Sequence, residues 1–226
     1  MSVVTFDTLD DLLESLGGIP GRRILFDPPP GTATIKDVIR HVDGPKKRLV
    51  ELIDGTLVEK PMGFAESRVA AKVIARLDKH VEDIGEPGVI TGADGTIRFL
   101  KKFVRIPDVA YTSWERMPNG QFPVTKVPEV VPNLCVEVLS EGNTVAEMAR
   151  KLKEYFVAGV DLVWFIDPDE RKVRVFTSPD DVKTLGVKDT LAGGTVLPGF
   201  AVPVAELFAG LPAVKKPAAK PKGKKK

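Results

Sequence analysis

The sequence is poor in the side chains that form disulfides and zinc sites. It contains one cysteine, Cys135, and two histidines, His41 and His80, in 226 residues. A single cysteine excludes an internal disulfide, and two histidines on separate predicted helices exclude a Cys/His zinc site. A serine or cysteine hydrolase is also a weak hypothesis, because the chain has no Gly-x-Ser-x-Gly motif and neither histidine has a clear catalytic position.

Long hydrophobic runs are also missing. No stretch approaches the roughly 20 apolar residues that span a bilayer, and the N-terminus, MSVVTFDTLDDLL, lacks the basic and apolar blocks of a signal peptide. We therefore expect a soluble, cytoplasmic protein without a membrane partner. With 43% apolar residues, the chain can still bury a substantial core.

Positive charge is concentrated at one end of the chain. The formal net charge is +2, and subtracting the seven lysines of the last segment, AVKKPAAKPKGKKK, leaves −5 for the rest. A general attraction to a polyanion such as DNA would therefore reside in the tail. We accordingly divide the chain into an N-terminal helical appendage at 1–44, a main domain at 45–210 and a disordered Lys/Pro/Ala-rich tail at 211–226.

Local patterns predict most of the regular structure. Capping residues and apolar periodicity predict short helices near 8–16 and 34–41 and a long helix over 65–84. Asp54-Gly55 between two β-type runs predicts a hairpin over 49–60. Further strands are expected at 89–91, 96–100, 104–112 and 172–176, with a long loop at 114–131 and a short strand and helical turn at 197–208.

The segment 132–168 predicts a strand, a helix and a second strand. In the first strand, Val136 and Val138 alternate with Cys135 and Glu137, so a carboxylate projects from an otherwise apolar strand. A buried strand rarely carries an unpaired carboxylate. Glu137 is therefore either ion-paired for structural reasons or part of a functional site.

The helix after Glu137 offers two candidate lysines. Thr144 followed by Glu147 is a capping box and predicts where this helix begins. The apolar stripe leaves both Lys151 and Lys153 on its flanks, and periodicity does not choose between them. Lys151 could instead be a surface residue that pairs with Glu147 four positions earlier.

Three acids lie on predicted strands, namely Glu51, Asp108 and Glu137. Clustered carboxylates on a rigid sheet provide the oxygen ligands that Mg²⁺ and Mn²⁺ prefer. A metal held in this way can activate water and neutralise charge on a phosphate. The acids therefore point to metal-dependent chemistry on phosphate esters.

Five motifs together resemble a known family of nucleases. ELIDGTLVEK, RIPDVA, EVLSEGNT, KLKEYFVAGV and VWFIDP are similar to the Uma-two family of restriction endonucleases, over about 49–208. That family belongs to the PD-(D/E)XK nuclease superfamily. The resemblance implies an α/β (α+β) fold with a restriction-endonuclease-like mixed β-sheet core flanked by helices.

The resemblance also implies roles for individual residues. Asp108 and Glu137 would bind the divalent metal, and Glu51 would be an additional catalytic acid. The superfamily places its lysine two residues after the second acid, where this sequence has Leu139. The catalytic lysine would be displaced to the following helix, at Lys151.

The expected function is that of an endonuclease that uses Mg²⁺ or Mn²⁺ to hydrolyse phosphodiester bonds in DNA. Dimerisation would suit the cutting of two strands, and the basic tail would contact DNA. The missing lysine at Leu139 supports an alternative, a non-catalytic nucleic-acid-binding or scaffold module that retains the nuclease fold.

Overall fold

A computed structural model describes residues 4–45, 47–61, 63–100 and 103–212. The helices are α1 (Leu9–Ser15), α2 (Ile35–Asp43), α3 (Phe64–Asp83), α4 (Val145–Ala158) and α5 (Val204–Leu207). The strands are β1 (Ile24–Leu25), β2 (Val50–Ile53), β3 (Thr56–Glu59), β4 (Gly88–Gly92), β5 (Ile97–Leu100), β6 (Phe103–Arg105), β7 (Val109–Ser113), β8 (Leu134–Val138), β9 (Leu162–Asp167), β10 (Lys172–Phe176), β11 (Val182–Leu185), β12 (Thr190–Gly193) and β13 (Leu197–Pro203). Apart from 211 and 212, the predicted tail lies outside the described residues.

A mixed six-stranded sheet forms the centre of the protein. Its strand order is β11-β10-β9-β8-β7-β4. Neighbouring strands are antiparallel except β8 and β9, which are parallel and are connected through α4. A parallel pair requires such a crossover connection, so the predicted strand-helix-strand segment has the arrangement that its sequence pattern indicates.

The two long helices pack on opposite faces of this sheet. On one face, Val73 and Leu77 of α3 join a core cluster with Val136 of β8. On the other face, Leu152 of α4 packs in a cluster with Cys135 of β8. The alternation along β8 therefore directs Glu137 toward α4, on the same side as Cys135.

A second sheet contains five strands from the N-terminal half of the chain. Its order is β1-β3-β2-β6-β5, and all of its pairs are antiparallel. Residues 4–45 contribute β1 to this sheet, and Leu12 of α1 and Leu16, which follows that helix, pack in one cluster with Ile53 and Val58. Strands β12 and β13 form a separate two-stranded sheet.

Most of the predicted elements are confirmed. The hairpin turns at Asp54 and Gly55, where both residues have positive φ angles of 48° and 76°. Thr8, Thr34 and Thr144 are the N-caps of α1, α2 and α4, each in a capping box. The mixed sheet core flanked by helices agrees with the expected fold class.

One strand prediction is wrong. The segment 104–112 is not a single strand but two, since β6 belongs to the five-stranded sheet and β7 to the six-stranded sheet. The chain leaves one sheet and enters the other through Ile106-Pro107-Asp108. Pro107 has no N–H to donate to a ladder, and a proline before an acid is typical of a strand start or an edge. The sequence thus indicates a break at this point, but not that the strands on its two sides belong to different sheets.

No helix among the residues that the structure describes is long and apolar enough to cross a membrane.

Candidate functional site

Glu137 and Lys151 meet between β8 and α4. The capping box at Thr144 sets where α4 begins, and this places Lys151 in the second turn, above Glu137. Lys151 Nζ lies 3.2 Å from Glu137 Oε2. One turn further, the Tyr155 hydroxyl donates a hydrogen bond to Glu137 Oε1. Both oxygens of the carboxylate therefore have buried partners.

Lys151 also reaches Glu51, which comes from the other sheet. Its Nζ lies 3.2 Å from Glu51 Oε1. Arg105 of β6 donates to Glu51 Oε2 at 2.7 Å, and the backbone N–H of Ile106 donates to Oε1 at 3.2 Å. Glu51 is thus fixed by three donors, and it is only 1% exposed.

Asp108 lies where the chain passes between the two sheets. Its Oδ1 is 2.8 Å from Lys60 Nζ, and its Oδ2 accepts the backbone N–H of Val138 at 2.7 Å. Lys60 follows β3 and also donates to the Ile106 carbonyl at 2.5 Å. At 14% exposure, the Asp108 side chain is the most accessible of the three acids.

All four predicted site residues line one cavity of about 60 Å³ at the junction of the two sheets. Glu51, Asp108, Glu137 and Lys151 share its wall with Lys60. A space of this size accommodates water or a metal ion but not a nucleotide. A nucleic acid could therefore place only a phosphate at the opening, with its bases on the surrounding surface.

The surface-pair interpretation of Lys151 is wrong. Lys151 is buried and pairs with the acids of the cavity. Glu147 pairs instead with Arg23, through bonds of 2.8 and 3.0 Å. Lys153, the other candidate, is exposed to solvent.

The pKa values of Glu51 and Lys151 reflect this pairing. Burial alone would raise the pKa of Glu51, but Lys151, Arg105 and Lys60 hold it well below its usual value. Burial alone would lower the pKa of Lys151, whereas Glu137 and Glu51 raise it above its usual value. Both groups therefore remain charged at neutral pH.

Glu137 differs from Glu51 in its electrostatic surroundings. Burial raises the pKa of Glu137, and although Lys151 opposes this, Asp108 adds to it. The physical reason is that Glu137 shares its lysine with Glu51, which has Arg105 as well. Burial and the neighbouring Asp108 carboxylate therefore both disfavour the charged form of Glu137.

Several residues of the site were not predicted from the sequence. They are Lys60, Arg105 and Tyr155. Lys60 ends the hairpin motif ELIDGTLVEK, and Tyr155 lies four positions after Lys151 on the same helix face. Arg105 directly precedes the IPD segment. These positions could have served as signals, but the partner of each is distant in sequence.

Asp108 and Glu137 fit a hard divalent cation. Among the described residues, no group of three or more His, Cys, Asp or Glu side chains is arranged to hold a metal. Magnesium, however, is commonly bound by one or two carboxylates together with water and phosphate oxygens. Asp108 and Glu137 line the same cavity and repel each other, and a cation between them would relieve that repulsion.

Comparison with known proteins confirms the resemblance. The family model Uma2, described as "Putative restriction endonuclease", matches residues 39–205, which include all four predicted site residues. In fold, the chain is similar to the crystal structure of a "putative nuclease belonging to DUF820" from Anabaena variabilis. The TM-score is 0.62 and the sequence identity 18%, over 70% of this chain and 89% of that chain. No match is found among curated proteins.

Proposed function

Because this chain belongs to the Uma2 family, we propose that it is a metal-dependent endonuclease that hydrolyses phosphodiester bonds in DNA. The observation that carries the proposal is the convergence of Asp108, Glu137 and Lys151 on one cavity. They come from the residue just before β7, from β8 and from α4. Two carboxylates and an ammonium group at one opening suit chemistry on a phosphate ester.

In this proposal Asp108 and Glu137 hold Mg²⁺ or Mn²⁺. When bound, such an ion supplies a positive charge to the phosphate and lowers the pKa of a coordinated water. Lys60 and the Val138 N–H fix the Asp108 carboxylate, and Tyr155 fixes that of Glu137. Both carboxylates are therefore oriented before substrate arrives.

Lys151 contributes a positive charge in the proposed reaction. Its Nζ lies 3.2 Å from Glu51 Oε1 and 3.2 Å from Glu137 Oε2, and Lys151 lines the cavity together with both acids. A fixed cation at this place stabilises negative charge that develops on the phosphoryl oxygens. Glu51 is a positioning residue, because it acts by holding Lys151 and is itself held by Arg105.

A second candidate is a nucleic-acid-binding or scaffold module without catalytic activity. The observation that favours it is that each of the three acids already has a cationic partner without a metal. Asp108 pairs with Lys60, Glu137 with Lys151, and Glu51 with both Lys151 and Arg105. Such a module would bind nucleic acid and leave it intact.

Replacing the proposed metal ligands tests the two candidates. We expect Asp108→Ala and Glu137→Ala to lose Mn²⁺ binding in calorimetry and metal-dependent cleavage of DNA, assayed on both plasmid and single-stranded substrates, with the circular dichroism spectrum retained. Asp169→Ala, in an exposed turn away from the cavity, is the matched control and should behave like the wild type. Unchanged Mn²⁺ affinity in both variants would contradict the metal assignment. Loss of folding in Glu137→Ala would assign Glu137 a structural role.

A further inference from the structure

Helix α3 begins beside the cavity with an exposed aromatic residue. Gly63, Glu66 and Ser67 line the cavity. Phe64, the first residue of α3, is 94% exposed, although it is a large apolar side chain. Ser67 lies three positions after Phe64, so the two are neighbours on the helix surface. Phe64 therefore lies next to the wall of the cavity.

Two basic residues continue from Phe64 along the same helix. Arg68 and Lys72 follow at steps of four residues, which form a ridge with a rise of about 6 Å per step. Arg68 is exposed and Lys72 partly exposed. We call the three residues Phe64, Arg68 and Lys72 the α3 ridge.

The positive charges of the α3 ridge are not used by the fold. The ion pairs that α3 makes among the described residues are those of Arg76 with Glu206 and of Lys79 with Asp83. In that part of the chain, Arg68 and Lys72 lie beyond salt-bridge distance of any carboxylate. The ridge thus offers two available cations next to an exposed aromatic ring.

We propose that the α3 ridge docks single-stranded nucleic acid, with an unstacked base on Phe64 and backbone phosphates on Arg68 and Lys72. The inference rests on the proposed nuclease function and specifies its substrate. Aromatic side chains bind the face of any base, and arginine and lysine follow the backbone. Because the cavity admits only a phosphate, the neighbouring bases must lie on the surface around it, where Phe64 follows the cavity-lining Gly63. Arg68 and Lys72 lead away from the cavity along the outer face of α3, so a strand would pass over the N-terminal end of the helix onto these two cations.

The exposed ring is the reason to favour a single strand over a duplex. In a duplex, both faces of each base are covered by its neighbours, and exposing one face requires unstacking. A single strand presents base faces without that cost. A duplex would use the two cations but not Phe64.

The test measures binding separately from cleavage. Fluorescence anisotropy with the full chain, in EDTA, gives the affinity for a labelled single-stranded oligonucleotide and for the same sequence as a duplex. We expect Phe64→Ala to weaken single-strand binding by about 5-fold or more, with duplex binding nearly unchanged. Arg68→Ala and Lys72→Ala should each reduce the slope of log affinity against log salt by about 0.7 for the single strand.

Two variants serve as matched controls. Phe122 is an aromatic residue with 60% exposure that does not line the cavity, and Arg76 lies on the same helix but is paired with Glu206. Phe122→Ala and Arg76→Ala should have smaller effects than the corresponding changes in the α3 ridge. Equal effects of Phe64→Ala and Phe122→Ala would overturn the proposal, as would equal losses on single strand and duplex.

Analytical ultracentrifugation of the same variants tests whether a second copy of this chain, and not nucleic acid, binds the α3 ridge. If Phe64→Ala changes the mass of the protein in solution, the α3 ridge is a contact between copies of this chain and the proposal is wrong. Failure of the proposed nuclease activity is distinguishable, since the wild type would then bind single strands through the α3 ridge without metal-dependent cleavage.

Discussion

Lys151 forms two ion pairs at once, and its near neighbour Lys153 forms none in the part of the chain that the structure describes. Two residues along a helix correspond to a rotation of about 200°. The two side chains therefore project to opposite sides of α4, one into the cavity and one into solvent. Their sequence surroundings are similar, but their electrostatic surroundings are not.

Replacing these lysines one at a time separates their roles. We expect Lys151→Met to lower the cleavage rate by about 10²–10³-fold, because a fixed charge near the phosphoryl group is removed. Lys153→Met should leave the rate near that of the wild type. The measurement is the initial rate on one DNA substrate at saturating metal. Equal rates for the two variants would remove Lys151 from the proposed mechanism.

Glu51 makes the stability of the protein depend on pH. Its folded-state pKa lies below its usual value of 4.5, so it stabilises the fold fully above that pH and loses this contribution as the pH falls toward the folded pKa. We expect Glu51→Gln to lower the free energy of unfolding at pH 7 by about 3–5 kcal/mol, the cost of breaking a buried ion pair. The difference from the wild type should shrink below pH 4.5.

Urea denaturation at pH 7 and at pH 3 checks this prediction. Glu14→Gln, at an exposed position of α1, is the control and should have little effect at either pH. A constant difference between Glu51→Gln and wild type across this range would show that Glu51 is not the source of the pH dependence.

Among the secondary-structure elements, α4 is held in place by a residue from the N-terminal segment. Arg23, just before β1, donates to the carbonyl of Glu59 at the end of β3 and to that of Gly142 in the turn before α4. It also forms the two-bond pair with Glu147 in the first turn of α4. Arg23 thus connects the five-stranded sheet to the helix that carries Lys151.

Removing this connection should destabilise the protein. We expect Arg23→Met to lower the free energy of unfolding by about 3–5 kcal/mol, since Glu147 would remain buried without its partner. Arg22→Met, at the exposed preceding position, should be nearly neutral. The comparison is made by urea denaturation at pH 7. Similar stabilities of the two variants would mean that Glu147 finds another partner or water.

The elements that the sequence predicted correctly have local signals. The hairpin depends on Asp54-Gly55, and α4 depends on the Thr144 capping box. Pro107 is a local signal of a strand start or an edge, but nothing local shows that β6 pairs with β2 whereas β7 pairs with β8. Strands β11 and β12 were also not predicted, since their positions are largely exposed and lack a continuous apolar face.

At the scale of the whole molecule, the cavity lies at the junction of two sheets. Glu51 and Lys60 come from the five-stranded sheet and its hairpin, while Glu137 comes from the six-stranded sheet. The sequence points to the acids because carboxylates on apolar strands are conspicuous, whereas only the family resemblance selects Lys151 over Lys153. Lys60 and Arg105 could not be chosen in this way, because surface lysines and arginines are common and only the tertiary fold shows that these two are buried.

The lysine-rich end of the chain gives a prediction for the protein as a whole. Truncation after Leu211 removes all seven tail lysines. We expect weaker duplex binding at low salt and a slope of log affinity against log salt that is flatter by about 0.9 for each phosphate that the tail no longer neutralises. Turnover at saturating DNA should be nearly unchanged. A full-length control with the same lysines changed to glutamine should match the truncation, whereas an unaltered salt slope in both would show that the tail does not contact DNA.

The ion pair between Lys151 and Glu51 also sets an order of events during synthesis. Lys151 lies 151 − 51 = 100 residues after Glu51 in the chain. At about 5–20 residues per second, the ribosome therefore needs about 5–20 s after Glu51 to add Lys151. Arg105, 54 residues after Glu51, is available well before then. The nascent chain can therefore satisfy Glu51 early, but it lacks the cation of the proposed reaction until α4 has left the ribosome.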